Sequence, residues 1–195
     1  MLVFKRYVSP ALLLILVTGP LWQASQSLPV TDEGRVTNSC VLHAHTLLQN
    51  ITNTLSRKDL FSGINCEKQG VDLNMETETP SVCAPKGLTC AGVIMSQFNK
   101  ESCLKNIRED LSYYYRFLAA QLDPDSFRSI LCSLRELMEG CFAMPLPTDL
   151  SMDQASADRT YNDRLSLCKM FKGFQVRAIT LNRVLAYMNS GEHTK

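Results

Sequence analysis

The cysteines and histidines are the residues of this chain whose side chains could bind metal or react. The 195-residue sequence contains eight cysteines and three histidines. Successive cysteines are separated by 26, 17, 7, 13, 29, 9 and 27 positions, and no Cys-x-x-Cys motif occurs. These spacings match no zinc motif. We therefore expect the cysteines to form disulfide bonds in an oxidising compartment rather than a metal site.

The remaining candidates for catalysis are few. His43 and His45 are two positions apart, so on a helix their side chains diverge by about 200° and cannot share a metal ion. His193 lies near the end of the chain. Serine nucleophile elbows, glycine-rich phosphate loops and calcium loops do not occur. We predict that the protein is not an enzyme and that it needs no cofactor or metal.

Other polar and aromatic clusters are interpreted as structural. Glu109 and Asp110 are expected on the polar face of a helix. For the run Tyr113, Tyr114 and Tyr115 we expect packing in the core and at an interface rather than stacking on a ligand. The chain has 20 Lys and Arg against 19 Asp and Glu, a net charge of +1. Since phosphate binding needs an excess of basic residues, we expect no nucleic-acid partner.

The N-terminal segment has the composition of a secretory signal. Lys5 and Arg6 precede an apolar stretch over 7–22, and small residues follow up to Ser27. We predict cleavage after Ser27, which leaves a mature chain of residues 28–195. An uncleaved membrane anchor is the alternative, but prolines and a glycine leave the apolar run short of the about 20 residues that a span needs.

The predicted signal places the protein outside the cell. We expect a secreted, oxidised chain with no membrane insertion after signal cleavage. One good glycosylation sequon, Asn50-Ile51-Thr52, agrees with this location, and Asn38-Ser39-Cys40 is a weaker one. The length favours one domain.

Apolar residues recur at steps of three and four in four segments, which predicts four helices. The first two helices are predicted over about 39–57 and about 101–122. The third begins at Asp123-Pro124, and Gly140 is placed to end it. The fourth is predicted over about 159–189.

The connections between these helices predict how they are arranged. About 40 residues join the first helix to the second, almost none join the second to the third, and about 16 join the third to the fourth. Long first and last connections around a tight central turn are typical of an up-up-down-down four-helix bundle. We therefore predict an all-α fold of this type, with two long crossover loops held by disulfides.

We expect a secreted bundle without catalytic residues to act by presenting surfaces to other proteins. A secreted lipid carrier and a small helical hydrolase are alternatives from other classes. The carrier would need an apolar cavity, and the hydrolase would need a histidine close to a carboxylate.

Several segments of the chain resemble the interleukin-12 alpha-subunit family. They are residues 28–30, 40–43, 102–114, 165–168 and, most strongly, 174–189. The resemblance implies a long-chain helical cytokine of the interleukin-6 type, secreted as a heterodimer with a beta subunit that is built like a soluble cytokine receptor. It further implies binding of two interleukin-12-type receptor chains, signalling through Janus kinases and STATs, activation of T and NK cells, and interferon-gamma production. An interleukin-23-type alpha subunit and a stand-alone four-helix cytokine are the alternatives.

The resemblance also assigns roles to residues of the fourth predicted helix. Arg183 matches an arginine that inserts into the beta subunit, and a guanidinium suits that role because it offers a planar fork of donors to a carboxylate. Thr180 and Tyr187 lie one helical turn from it, Arg177 lies nearly two turns away, and all three are expected to surround it. Tyr161 matches an aromatic residue on a receptor-facing surface.

Disulfide pairs follow from the same resemblance. They are Cys40 with Cys90, Cys66 with Cys168, and Cys83 with Cys103. Cys132 and Cys141 have no counterpart in the family pattern, and a bond between them requires the chain to turn back at Gly140. The segment between Cys83 and Cys90 lacks the extra cysteine that links alpha to beta in this family. Whether the heterodimer is covalent therefore stays open, with Cys132 and Cys141 as the candidates.

Overall fold

The computed structural model describes residues 36–84, 98–121, 123–147 and 160–191. The predicted signal sequence with its cleavage site, Cys90 and His193 lie outside these residues. The division into a signal and a mature chain stays a prediction.

The described part of the chain contains five α-helices, two 3₁₀ turns and no β-strand. The helices are α1 (Asn38–Leu55), α2 (Thr79–Val82), α3 (Lys100–Ala119), α4 (Arg128–Phe142) and α5 (Tyr161–Asn189), and the 3₁₀ turns are Cys66–Lys68 and Pro124–Phe127. The four long helices correspond to the four that the apolar periodicity predicts. The predicted all-α, disulfide-linked fold is confirmed.

Polar side chains stabilise the starts of the long helices. Thr37 precedes α1 and Asn99 precedes α3, and each side chain accepts a hydrogen bond from a backbone N–H of the first turn. Thr160 and Asp163 form a reciprocal capping box at the start of α5. Such caps satisfy backbone donors that have no partner inside the helix.

Helix α1 runs antiparallel to both α5 and α4. Asn189 Nδ2 near the end of α5 donates to Asn38 Oδ1 at the start of α1, and Asn182 Nδ2 donates to the Ala44 carbonyl oxygen, each at 2.8 Å. On the α4 side, His43 Nδ1 lies 3.0 Å from Glu136 Oε2. Further along α1, hydrogen bonds reach the first half of α4.

Helix α3 is antiparallel to α5, and aromatic residues fill the space between them. The Tyr114 and Phe174 rings are stacked with their centroids 4.1 Å apart. Tyr114 and Tyr115 are buried in the core, and Tyr113 is partly buried against it. The antiparallel contacts are consistent with the up-up-down-down order that the loop lengths predict.

The end of α4 differs from the prediction. Gly140 lies inside the helix, which continues to Phe142. Ala143 then adopts the left-handed conformation, with φ of 48°, and Met144 N donates to the Met138 carbonyl oxygen at 2.8 Å. The helix continues past Gly140 because Cys141 and Phe142 pack against the core.

The described residues form three disulfides, Cys40–Cys141, Cys66–Cys168 and Cys83–Cys103. The last two are the pairs that the resemblance implies. The expected Cys40–Cys90 bond is wrong, because the antiparallel packing of α1 and α4 brings Cys40 to the end of α4 beside Cys141.

The same packing excludes the alternative bond between Cys132 and Cys141. The two residues lie on one continuous helix, and Cys132 is an exposed free thiol. The expectation that all eight cysteines are disulfide-bonded is therefore wrong for Cys132. Since Cys141 is bonded within the chain, it is no longer a candidate for a link to another chain.

Two features of the described residues bear on membranes and metal ions. Among these residues, no helix combines the length and the apolar character that crossing a bilayer requires. The same part of the chain has no cluster of three histidine, cysteine or acidic side chains placed to hold a metal ion.

A candidate partner-binding face on α5

One stripe of side chains on α5 points away from the bundle. Val176, Thr180, Arg183 and Tyr187 follow each other at steps of four, three and four residues, so they share one side of the helix. Val176 and Arg183 are exposed, and Thr180 and Tyr187 are partly exposed. We call these four residues the α5 face.

Arg183 is the charged residue at the centre of the α5 face. Its side chain makes no hydrogen bond or ion pair with any residue that the structure describes. Tyr187 is held one turn away by an edge-to-face contact with Phe98, whose ring centroid lies 5.4 Å from its own. The arginine is therefore carried by a rigid helix with all its donors available.

Arg177, which the resemblance places around Arg183, does not belong to this face. It is only 5% exposed and points into the bundle, because it follows Val176 by one residue and is therefore rotated by about 100°. Its assignment to an exposed partner-binding surface is wrong in this structure. Val176 takes that place on the α5 face, and its spacing from Arg183 could have revealed it in the sequence.

Instead, Arg177 forms a buried ion pair with Asp110 of α3. Its Nε lies 3.3 Å from Asp110 Oδ2, and both side chains are almost fully buried. Arg177 Nη2 also donates to the Asn74 carbonyl oxygen at 2.9 Å and to Thr77 Oγ1 at 3.3 Å. The arginine thus joins α5 to α3 and to the first crossover loop.

Asp110 accepts further hydrogen bonds from that loop. Thr77 Oγ1 donates to Oδ1 at 2.7 Å, Thr79 Oγ1 to Oδ2 at 2.5 Å, and Asn74 Nδ2 to Oδ1 at 3.1 Å. The prediction that Asp110 lies on a polar face is wrong. Its position three residues after Ile107, which is in the core, was the available signal.

This network also affects the tyrosine beneath it. Burial, with a smaller effect from the Asp110 carboxylate, raises the pKa of Tyr114 above its ordinary value. Burial and the acidic residues Asp72 and Glu76 likewise raise the pKa of Tyr113. The loop therefore brings negative charge close to the tyrosines of α3.

The first crossover loop passes directly over α5. We call residues 66–83 the strap. It is bonded to α5 through Cys66–Cys168, and Asp72 N donates to the Lys169 carbonyl oxygen at 3.1 Å. Lys172 Nζ donates to strap carbonyl oxygens. The strap therefore crosses the first half of α5, while Val176 and Arg183 of the α5 face remain exposed.

The predicted receptor residue lies at the other end of the same helix. Tyr161 is the first residue of α5 and is exposed, and Arg164 Nε nearby donates to the Ser62 carbonyl oxygen at 3.2 Å. Tyr161 and Arg183 are 22 residues apart on one helix, which is about 33 Å at 1.5 Å per residue. The structure therefore separates the two predicted sites.

The sequon asparagine lies between α1 and α4. Asn50 Nδ2 donates to Ser133 Oγ at 2.9 Å and to the Ser129 carbonyl oxygen at 3.3 Å. A glycan would replace one hydrogen of this nitrogen, so it would compete with one of these bonds. Glycosylation of Asn50 stays a prediction.

Comparison with known proteins identifies the family. The family model of the interleukin-12 alpha subunit matches residues 11–191. Among curated proteins, the interleukin-12 subunit alpha of Felis catus is 24% identical to this chain, with 85% of this chain and 89% of the relative covered. The Sus scrofa subunit is 26% identical, and the match covers 85% of this chain and 88% of the relative. The Cervus elaphus subunit is 25% identical, and the match covers 88% of this chain and 91% of the relative. The chain belongs to the interleukin-12 alpha-subunit family.

Proposed function

We propose that the α5 face binds the receptor-like beta subunit of an interleukin-12-type heterodimer, with Arg183 as its anchor. Members of the family are cytokine subunits that pair with a beta subunit. The observation that carries the proposal is the exposed guanidinium of Arg183, which has no partner within the described part of the chain.

The composition of the face suits an anchored interface. A guanidinium contributes most binding free energy when it donates hydrogen bonds to a carboxylate in a pocket from which water is excluded. Val176 and Tyr187 supply apolar surface on either side of Arg183, and Thr180 is small enough to let a partner approach closely. Because the stripe belongs to a regular helix, little conformational entropy is lost when the partner binds.

The remaining roles follow from the family. The secreted heterodimer, formed after removal of residues 1–27, engages two receptor chains, and Tyr161 contributes to a receptor contact at the far end of α5. Receptor engagement drives JAK/STAT signalling and interferon-gamma production in T and NK cells. Because Tyr161 and Arg183 are far apart, one alpha chain has room for the beta subunit and a receptor chain at the same time.

Co-expression with a candidate beta subunit tests the proposal. Secreted complexes would be resolved by size-exclusion chromatography, and binding would be measured for Arg183→Ala. We expect Arg183→Ala to lose about 2 kcal/mol or more of binding free energy, which raises Kd roughly thirtyfold, as for other anchor arginines. The matched control is Arg128→Ala on α4, an exposed arginine that is paired with Asp125.

The outcomes separate the proposal from its alternatives. Unchanged affinity of a folded Arg183→Ala variant would refute the anchor. A chain that is secreted efficiently alone and ignores the beta subunit would indicate a stand-alone cytokine. A non-reducing gel of the complex, repeated with Cys132→Ser, decides whether that exposed thiol links the two chains.

A further inference from the structure

The buried Arg177 keeps hydrogen-bond donors that its ion pair with Asp110 does not use. Its Nη2 is fully occupied, because this atom donates to the Asn74 carbonyl oxygen and to Thr77 Oγ1. Nε faces Asp110 Oδ2 at 3.3 Å without forming an aligned hydrogen bond, and Nη1 has no acceptor among the described residues. Since Arg177 is only 5% exposed, bulk solvent does not supply these acceptors.

Tyr114 carries a second buried polar group beside this network. Its side chain is 1% exposed, and its hydroxyl makes no hydrogen bond with any residue that the structure describes. Burial and the Asp110 charge raise the pKa of Tyr114, whereas the Arg177 charge and the nearby Asn74 backbone lower it. The hydroxyl therefore lies close to the guanidinium. Buried groups of this kind normally pair with protein atoms or with ordered water.

A cavity of about 10 Å³ adjoins both side chains. Thr79, Asp110, Tyr114 and Arg177 are its polar lining residues, and apolar side chains of α3 and α5 complete the wall. A buried water molecule needs a cavity of about 10–15 Å³ and two to four polar partners. The cavity therefore has the size of one water molecule, and its lining includes residues with unused donors.

We infer that Arg177, Tyr114 and Thr79 form an internal binding site for one water molecule beneath the strap. The water oxygen accepts hydrogen bonds from Arg177 Nη1 and from the Tyr114 hydroxyl. Thr79 Oγ1 uses its hydrogen to donate to Asp110 Oδ2, so its lone pairs can accept a hydrogen from the water. The water thus links α5, α3 and the strap at one point.

The charges around the cavity favour water over an ion. Arg177 and Asp110 carry opposite charges 3.3 Å apart, so together they form a neutral pair. An anion bonded to Arg177 would lie close to the Asp110 carboxylate, and a cation would lie close to the guanidinium. Water both donates and accepts hydrogen bonds, so it satisfies these groups without adding a charge.

A larger groove gives water a short route to the site. The groove has a volume of about 330 Å³ and lies between the strap, α3 and the end of α4. Asn74 and Thr77, which accept hydrogen bonds from Arg177, are among its lining residues. Small movements of these two strap residues would admit water without separating the helices.

A crystal structure of the secreted chain, alone or with its beta subunit, tests the inference directly. At a resolution that shows ordered water, we expect a water peak about 2.7–3.2 Å from both Arg177 Nη1 and the Tyr114 oxygen. The absence of density at this position would overturn the inference. Crystals soaked in bromide test for an anion, and an anomalous peak at the site would overturn it as well.

Tyr114→Phe tests the site in solution through the direction of its effect. If water pairs with the hydroxyl, the substitution removes a hydrogen bond and should lower the unfolding temperature by about 2–4 °C at neutral pH. If the hydroxyl has no partner, its removal should raise that temperature, because an unpaired buried polar group destabilises the fold. An unchanged or raised unfolding temperature would therefore overturn the inference.

Tyr113→Phe is the matched control. Tyr113 precedes Tyr114 on α3, but it is only partly buried and does not line the cavity. This variant should unfold at the temperature of the unmodified chain, and an equal fall in both variants would overturn the role of Tyr114 in the site. Because none of these measurements involves the α5 face, their outcome is independent of the proposed function.

Discussion

The carbonyl oxygen of Asp72 lies 1.7 Å from the position that a Cβ atom on Gly173 would occupy. Real Cβ atoms never approach backbone oxygen so closely, so glycine is the residue that fits here. Gly173 lies in the interior of α5, where glycine normally destabilises a helix. The close passage of the strap over the helix explains its presence.

Gly173→Ala should therefore destabilise the protein. The added methyl must displace the Asp72 backbone, and overpacking of this kind costs about 1–3 kcal/mol or more. Gly140→Ala is the matched control, since it is also within a helix but has nothing within 4 Å of its Cβ position. That control should gain about 1 kcal/mol from helix propensity. Chemical unfolding of both variants measures the difference, and equal stabilities would contradict the close contact.

The buried ion pair predicts a strong coupling between Arg177 and Asp110. Arg177→Met leaves the Asp110 carboxylate buried without its cation and should cost about 3–5 kcal/mol. The double variant Arg177→Met/Asp110→Asn removes both charges and should be more stable than the sum of the single losses predicts. A double-mutant cycle of unfolding free energies measures this, and strict additivity would show that the two residues do not interact.

The left-handed residue at the end of α4 predicts a stabilising substitution. Ala143 has φ of 48°, a conformation that costs residues with a Cβ about 1 kcal/mol or more. Ala143→Gly removes this cost and should raise the free energy of unfolding by about 1 kcal/mol. Thermal unfolding measures the gain. A loss of stability would mean that the methyl group of Ala143 makes contacts worth more than the strain.

The raised pKa of Tyr114 predicts sensitivity to alkaline pH. Its folded pKa lies above the ordinary value of 10.0, because burial disfavours the charged phenolate. The folded state therefore holds this proton more tightly than the unfolded state does, so the stabilisation is complete below pH 10 and is lost as pH rises above it. The free energy of unfolding, measured with urea, should fall between pH 9 and pH 11. The fall should be shallower in Tyr114→Phe, which lacks the titrating hydroxyl. If the free energy of unfolding falls equally with pH in the two proteins, Tyr114 does not contribute to the alkaline loss of stability.

The sequence predicts the helices well because each long helix buries one regular stripe. The first helix, predicted over 39–57, is Asn38–Leu55, and the fourth, predicted over 159–189, is Tyr161–Asn189. Apolar periodicity does not predict that Arg177 is buried. A long polar residue at a core position depends on partners from the strap, and the strap has no repeating pattern. It also does not predict the Cys40–Cys141 bond. The two cysteines are 101 residues apart in sequence, and only the packing of α1 against α4 brings them together.

The two disulfides that bracket the strap determine what proteolysis can do to it. Cys66 is bonded to α5 through Cys168, and Cys83 is bonded to α3 through Cys103. A protease that cuts the exposed turn at Met75 therefore leaves both new ends attached to helices of the bundle. Cys66–Cys168 and Cys40–Cys141 both join the two fragments, so the nicked chain would migrate as one species on a non-reducing gel and separate only after reduction.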